Sequence, residues 1–123
     1  MTIQELYDAI GGSYESAKRV MQSDRIIAKF IVKFVDDKSF DTLLGGWESR
    51  DAQAAFEGAH ALKGVCANLG LDAISAAASE LAEQFRPGGE RTLDDAAVTE
   101  RIDAIRAKRE TAVELIRGFA EMG

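Results

Sequence analysis

The only histidine of the chain, His60, stands in the run Gly58-Ala59-His60-Ala61-Leu62-Lys63-Gly64-Val65-Cys66-Ala67-Asn68-Leu69-Gly70-Leu71. On a helix advancing about 100° per residue, Ala55, Ala59, Leu62, Cys66 and Leu69 share one apolar face. His60 falls nearly opposite, with Gly64 and Ala67 beside it and Lys63 on its flank. This spacing predicts an imidazole that faces water. A solvated imidazole is largely uncharged near neutral pH and keeps a ring-nitrogen lone pair, so it can act as a covalent nucleophile. Glycine within a helix costs about 1 kcal/mol relative to alanine. One turn beyond His60, Gly64 clears bulk from the path of an approaching molecule, and Ala67 continues the low surface. Lys63 can bring an ammonium to negative charge carried on His60. The chemistry expected is that of an exposed nucleophile with a cleared approach and a nearby cation.

Other chemistries fit the residues less well. Glu57 and His60 have the Glu-x-x-His spacing of di-iron bundles, but that architecture needs a second such pair and an inward-pointing histidine. Cys66 is the only cysteine, which excludes an internal disulfide and Cys-x-x-Cys-His haem attachment. It is expected to be a small buried apolar residue, and a reducing compartment is the simplest setting. Trp47 and the phenylalanines are expected in the core.

The elements that must position His60 follow from apolar residues recurring at helical spacing, with no strict alternation. Thr2 and Glu5 form a capping-box pattern that opens a short helix, which Gly11-Gly12 closes. Ser13 can cap a long helix carrying Val20, Ile26, Ile27, Phe30, Ile31, Phe34 and Val35, broken at 36–39. A weaker short helix follows over Phe40, Leu43, Leu44 and Trp47, loosened by Gly45-Gly46. Asp51 suits an N-cap, Gly70 a C-terminal stop, and Asp72 the cap of the next helix. Residues 86–91 read as a loop, and Thr92 as the start of the last helix. The expected fold is all-α, an antiparallel four-helix bundle over 13–36, 51–69, 72–86 and 92–120 with two short accessory helices, forming one domain over 1–123.

Composition narrows the function classes. The formal net charge is −6 and no basic block offsets it, which argues against a nucleic-acid partner. No apolar run reaches the ~18–20 residues a bilayer span requires, and the N-terminus lacks the pattern of a signal peptide. A monomer in the cytoplasm, with no membrane partner, is expected.

His60-Ala61-Leu62-Lys63-Gly64 followed by Asn68-Leu69-Gly70 resembles the signature of histidine-phosphotransfer (HPt) domains, and helical content, length and motif placement agree over nearly the whole chain. The similarity is to the free-standing bacterial type, since a kinase ATP-binding region or a receiver domain has no room here. The resemblance implies that His60 takes a phosphoryl group from a receiver aspartyl-phosphate and passes it on, with response-regulator receivers or a hybrid sensor kinase as partners. It implies charge stabilisation by Lys63, partner access at Gly64 and helix-end motif positions at Asn68 and Gly70; Ala67 extends the cleared surface. It implies a phosphocarrier without kinase activity of its own and no cofactor on this chain, Mg²⁺ being carried by the receiver. Some family members support the ring with a glutamine from the following helix; Ala82 stands at the equivalent position, and Gln84 is close by in sequence. Two alternatives share these residues: the phosphoacceptor module of a chemotaxis-type kinase, and a helical adaptor that is never phosphorylated.

Overall fold

The computed structural model describes residues 1–122, and these form helices and no strand. In chain order they are α1 (Ile3–Ile10), α2 (Tyr14–Met21), α3 (Asp24–Lys33), a 3₁₀ turn at Phe34–Asp36, α4 (Ser39–Glu48), α5 (Ala52–Asn68), α6 (Asp72–Phe85) and α7 (Asp95–Met122). Local chemistry sets most boundaries. The Thr2 hydroxyl accepts from the Glu5 N–H at 3.1 Å, while the Glu5 carboxylate accepts from the Thr2 N–H at 2.8 Å. Gly11 closes α1 at φ 82°. The Asp51 carboxylate accepts from the Ala54 N–H at 3.1 Å and starts α5, as its sequence position predicts.

The single long helix expected over 13–36 is instead three elements. Gln22 adopts a left-handed conformation at φ 65°, and Ser23 caps a new helix. Asp24, at the start of α3, then accepts from the Tyr14 hydroxyl and from Lys18 Nζ, the latter at 3.0 Å, tying α3 back onto α2. Two other starts also differ. Asp72 is the first residue of α6 rather than its cap; Leu71 holds the cap position without a side-chain bond, and the Asp72 charge suits the helix N-terminus. The last helix begins at Asp95 rather than Thr92, because Asp94 provides the cap, its carboxylate accepting from the Ala97 N–H at 2.9 Å.

Three-residue links at 49–51 and 69–71 reverse the chain, so α4, α5 and α6 pack in sequence, and α6 in turn meets α7. Helices α1 and α3 and the 3₁₀ turn lie against α7, and α2 lies against α5. One apolar cluster runs from Ile3 to Ile116 and includes Ala55, Ala59, Leu62, Cys66 and Leu69, the inner face assigned to α5.

Helix α4, expected as a loosened accessory, is a close packing partner of α5. A Cβ on Gly46 would lie 2.3 Å from the Ala55 nitrogen, and one on Gly58 would lie 2.2 Å from the Leu43 nitrogen. The two backbones therefore touch at both glycines, and only residues without a side chain fit there. The C-terminal end of α5 is held from the other side. The Tyr7 hydroxyl donates to the Leu69 carbonyl at 2.6 Å, and the Ser13 N–H donates to the Gly70 carbonyl at 2.7 Å. These bonds satisfy carbonyls that a helix end leaves without partners.

Replacing Gly58 with Ala should destabilise the protein by about 1–3 kcal/mol through overpacking, against the usual helix-propensity gain. Denaturant unfolding of G58A measures it, and unchanged or increased stability would rule out the backbone contact. Burial also pushes the Cys66 thiol up to about 12. The buried thiol is thereby kept protonated and out of reach, so a thiol reagent should leave the folded protein unlabelled and modify it on unfolding.

Candidate functional site

His60 lies near the middle of α5, exposed, on the face turned away from the buried Ala59 and Leu62. Its imidazole stacks on the ring of Phe56, one helical turn earlier, with centroids 5.7 Å apart and planes 14° from parallel. Side chains of helices lean toward the N-terminus, which is why residues four apart meet in this way. Phe56 itself is half-buried and packs against the apolar cluster.

Lys63 is exposed on the same side of α5 and has no ion-pair partner among the described residues. Its charge reaches across to α6. The Glu83 carboxyl is held below the usual range, chiefly by its hydrogen bond from Arg86 and in smaller part by the positive charge of Lys63. The backbone at Lys63 is anchored, since its carbonyl accepts from the Ser75 hydroxyl of α6 at 3.0 Å. Gly64 is exposed, and a Cβ added there would meet nothing within 4 Å. That is the reverse of Gly46 and Gly58, so packing does not explain the glycine. Ala67 and Asn68 are exposed as well.

The structure thus brings His60, Lys63, Gly64 and Ala67 together on one open face. Asn68 is turned toward a different feature. With Val65 it lines a groove of about 340 Å³ between α5 and the α2–α3 pair, whose other walls include Val20, Met21, Phe30 and Lys33. Phe30, expected in the core, and Val20 and Ile26 of the apolar pattern assigned to the 13–36 helix are in fact 42%, 53% and 42% exposed. Lys29 and Lys33 place their ammonium groups 5.9 and 5.3 Å from the Phe30 ring centroid. These exposed apolar residues were missed as surface by the sequence reading, although a signal existed. At about 100° per residue, Ile26, Phe30, Phe34, Ile27 and Ile31 span an arc of roughly 140°, broader than one packed stripe requires. Ile27, Ile31 and Phe34 are buried, and the surplus edge faces water.

No α6 amide is free to support the imidazole from the positions considered. Ala82 is buried in the apolar cluster. Gln84 is engaged by the α6–α7 loop: its Oε1 accepts from the Thr92 and Leu93 N–H groups, and its Nε2 donates to the Thr92 hydroxyl, all at 2.9 Å. Glu57, the partner of His60 in the di-iron spacing, is exposed and accepts from Gln53 Nε2 at 3.0 Å. Both members of that pair point to water, against the inward geometry such a centre needs. A separate cleft of about 710 Å³ lies at the opposite end of α5. There Arg50 and Arg91 flank the half-buried Trp47 ring and both pair with Asp95, joining the α4–α5 link to the start of α7.

The family model described as the Hpt domain matches residues 30–111. The match takes in α4, α5 and α6 and much of α7, well over half of the chain. The chain belongs to the Hpt domain family, whose members are phosphocarriers rather than kinases and take part in histidine phosphotransfer with receiver domains and kinases. Searches of curated proteins and of solved structures found no match. No helix among the described residues is long and apolar enough to cross a membrane.

Because Gly64 has neither a tight contact nor a positive φ to accommodate, Gly64→Ala should raise stability by about 0.5–1 kcal/mol. Thermal or denaturant unfolding of G64A tests this. A destabilised variant would mean that the glycine serves the fold.

Proposed function

We propose that His60 is the phosphoacceptor of a multistep phosphorelay, charged by a receiver aspartyl-phosphate and discharged to another receiver. The observation that carries this reading is the exposed imidazole on an anchored helix, bordered by the open space over Gly64, within the segment that matches the family. In the transfer step a ring-nitrogen lone pair of neutral His60 attacks phosphorus. The N–P bond forms as the P–O bond to the receiver aspartate breaks, and the aspartate leaves as carboxylate with the bonding electron pair. The proton on the second ring nitrogen stays there until water takes it.

Phosphoryl transfer asks chiefly for in-line positioning and charge stabilisation. Lys63 supplies positive charge from this chain, and the receiver supplies the metal ion, so the carrier has no cofactor of its own. Gly64 and Ala67 provide clearance. Asn68, with Val65, Phe30 and Val20, offers the receiver an apolar docking groove edged by Lys33. At 1.5 Å rise per residue, Val65 and Asn68 lie about 7–12 Å along α5 from His60, within the footprint of one docked domain. The carrier operates as a cytoplasmic monomer comprising one domain over residues 1–123.

Incubation with a receiver domain charged by radiolabelled acetyl phosphate tests the reading. Wild type should acquire an acid-labile, base-stable label, and His60→Gln should acquire none while keeping its helical spectrum and unfolding midpoint. Label retained by H60Q would refute the assignment. Lys63→Ala should slow transfer by about two- to fivefold, the range for an exposed charge. Gly64→Gln should slow it by roughly tenfold or more by obstructing the approach.

A further inference from the structure

The imidazole of His60 sits between two unlike neighbours on its own helix. Four residues ahead, Gly64 leaves open space; four residues behind, Phe56 presents a ring nearly parallel to it. None of the side-chain hydrogen bonds among the described residues involves His60, so a hydrogen bond does not fix its orientation there. The centroid distance of 5.7 Å and interplanar angle of 14° describe an offset stack, a favoured arrangement for ring pairs. Phe56 is suited to act as a fixed platform. It is half-buried and packed on the apolar cluster, on a helix locked against α4 at Gly58 and against α6 through Ser75 and Lys63.

We infer that Phe56 is a positioning residue for phosphotransfer, holding the His60 ring plane so that its nitrogen lone pairs meet an incoming phosphoryl group in line. The lone pairs of imidazole lie in the ring plane, so fixing that plane fixes the direction of attack. A ring free to rotate about its side-chain torsions would spend part of its time misdirected. Such orientation is a recognised source of rate in transfer reactions. The platform occupies the Phe56 side of the imidazole, and the space over Gly64 stays open to a partner. This inference rests on the phosphoacceptor reading of His60 and adds to it a residue outside the matched motif positions.

The test compares Phe56→Leu, which keeps an apolar anchor and removes the ring, with Phe56→Tyr, which keeps the ring. Proton NMR of the unphosphorylated proteins reads the stack directly. The His60 ring protons should show a ring-current shift in wild type and F56Y, and lose it in F56L. With a saturating receiver charged by acetyl phosphate, the first-order transfer rate of F56L should fall about two- to tenfold. The half-saturating receiver concentration should change less, and F56Y should restore the rate. A wild-type rate in F56L, or His60 ring shifts that do not move, would overturn the proposal. So would a rate in F56Y as low as in F56L, and if F56L unfolds, Phe56→Met takes its place in both arms. Failure of wild type to take up label would instead defeat the phosphoacceptor reading, and the NMR comparison still decides whether the stack exists.

Discussion

The backbone contact between α4 and α5 at Gly46 and Gly58 is the constraint on which the presentation of His60 depends. It brings the inner face of α5 against a neighbouring helix with no side chain between. The neighbouring Ala55, Ala59, Leu62 and Cys66 complete that face, all of them small or aliphatic and buried. The Tyr7 and Ser13 bonds to the carbonyls of Leu69 and Gly70 hold the C-terminal end, and Asp51 caps the N-terminal end. With three sides held, α5 has little freedom to rotate about its axis. A rotation by one residue, about 100°, would carry His60 from water toward a packed neighbour. The tight packing of the interior is therefore what keeps the outer face in a defined orientation.

That outer face combines features that would be faults in a purely structural helix. A helix gains stability from alanine over glycine, yet Gly64 is neither strained nor crowded. On neighbouring α3, water-facing phenylalanine and isoleucine likewise give up hydrophobic stabilisation, since Phe30 and Ile26 lie at the surface. Lys63 lacks an ion-pair partner among the described residues, although acidic side chains outnumber basic ones in the chain. Each choice lowers or forgoes stability of the isolated protein, as the docking and transfer surface proposed above requires. The net negative charge and the local placement of Lys63, Lys29 and Lys33 are compatible, because charges beyond about 8–10 Å are largely screened at physiological ionic strength.

Much of this was legible in the sequence because the residues around His60 obey one period. The placement of Ala55, Ala59, Leu62, Cys66 and Leu69 inside and of His60, Lys63, Gly64 and Ala67 outside follows from the 100° step alone, and Asp51 and Gly70 mark the ends of α5 by their chemistry. The break at Gln22 was harder to see. Gln22 is not a residue type that announces a left-handed turn, and the cap at Ser23 is reinforced by Tyr14 and Lys18 from the preceding helix, contacts that exist only after folding. Thr92 has the character of a cap but is occupied by Gln84, so Asp94 takes that role. The glycines gave opposite lessons. Gly45-Gly46 reads locally as a weak helix, whereas Gly46 is required by a neighbour far along the chain. Apolar character at Val20, Ile26 and Phe30 reads as core, because a hydrophobic side chain carries no mark that distinguishes folding from docking.

The most direct measurement is the location of the phosphoryl group after transfer. The protein, charged by a phosphorylated receiver and kept at neutral to basic pH, is fragmented under conditions that preserve N–P bonds, and each fragment is weighed. The account predicts the mass of one phosphoryl group on fragments that contain His60 and on no others. A phosphoryl group placed on a serine, threonine or aspartate of this chain, or none acquired from any charged receiver, would contradict it.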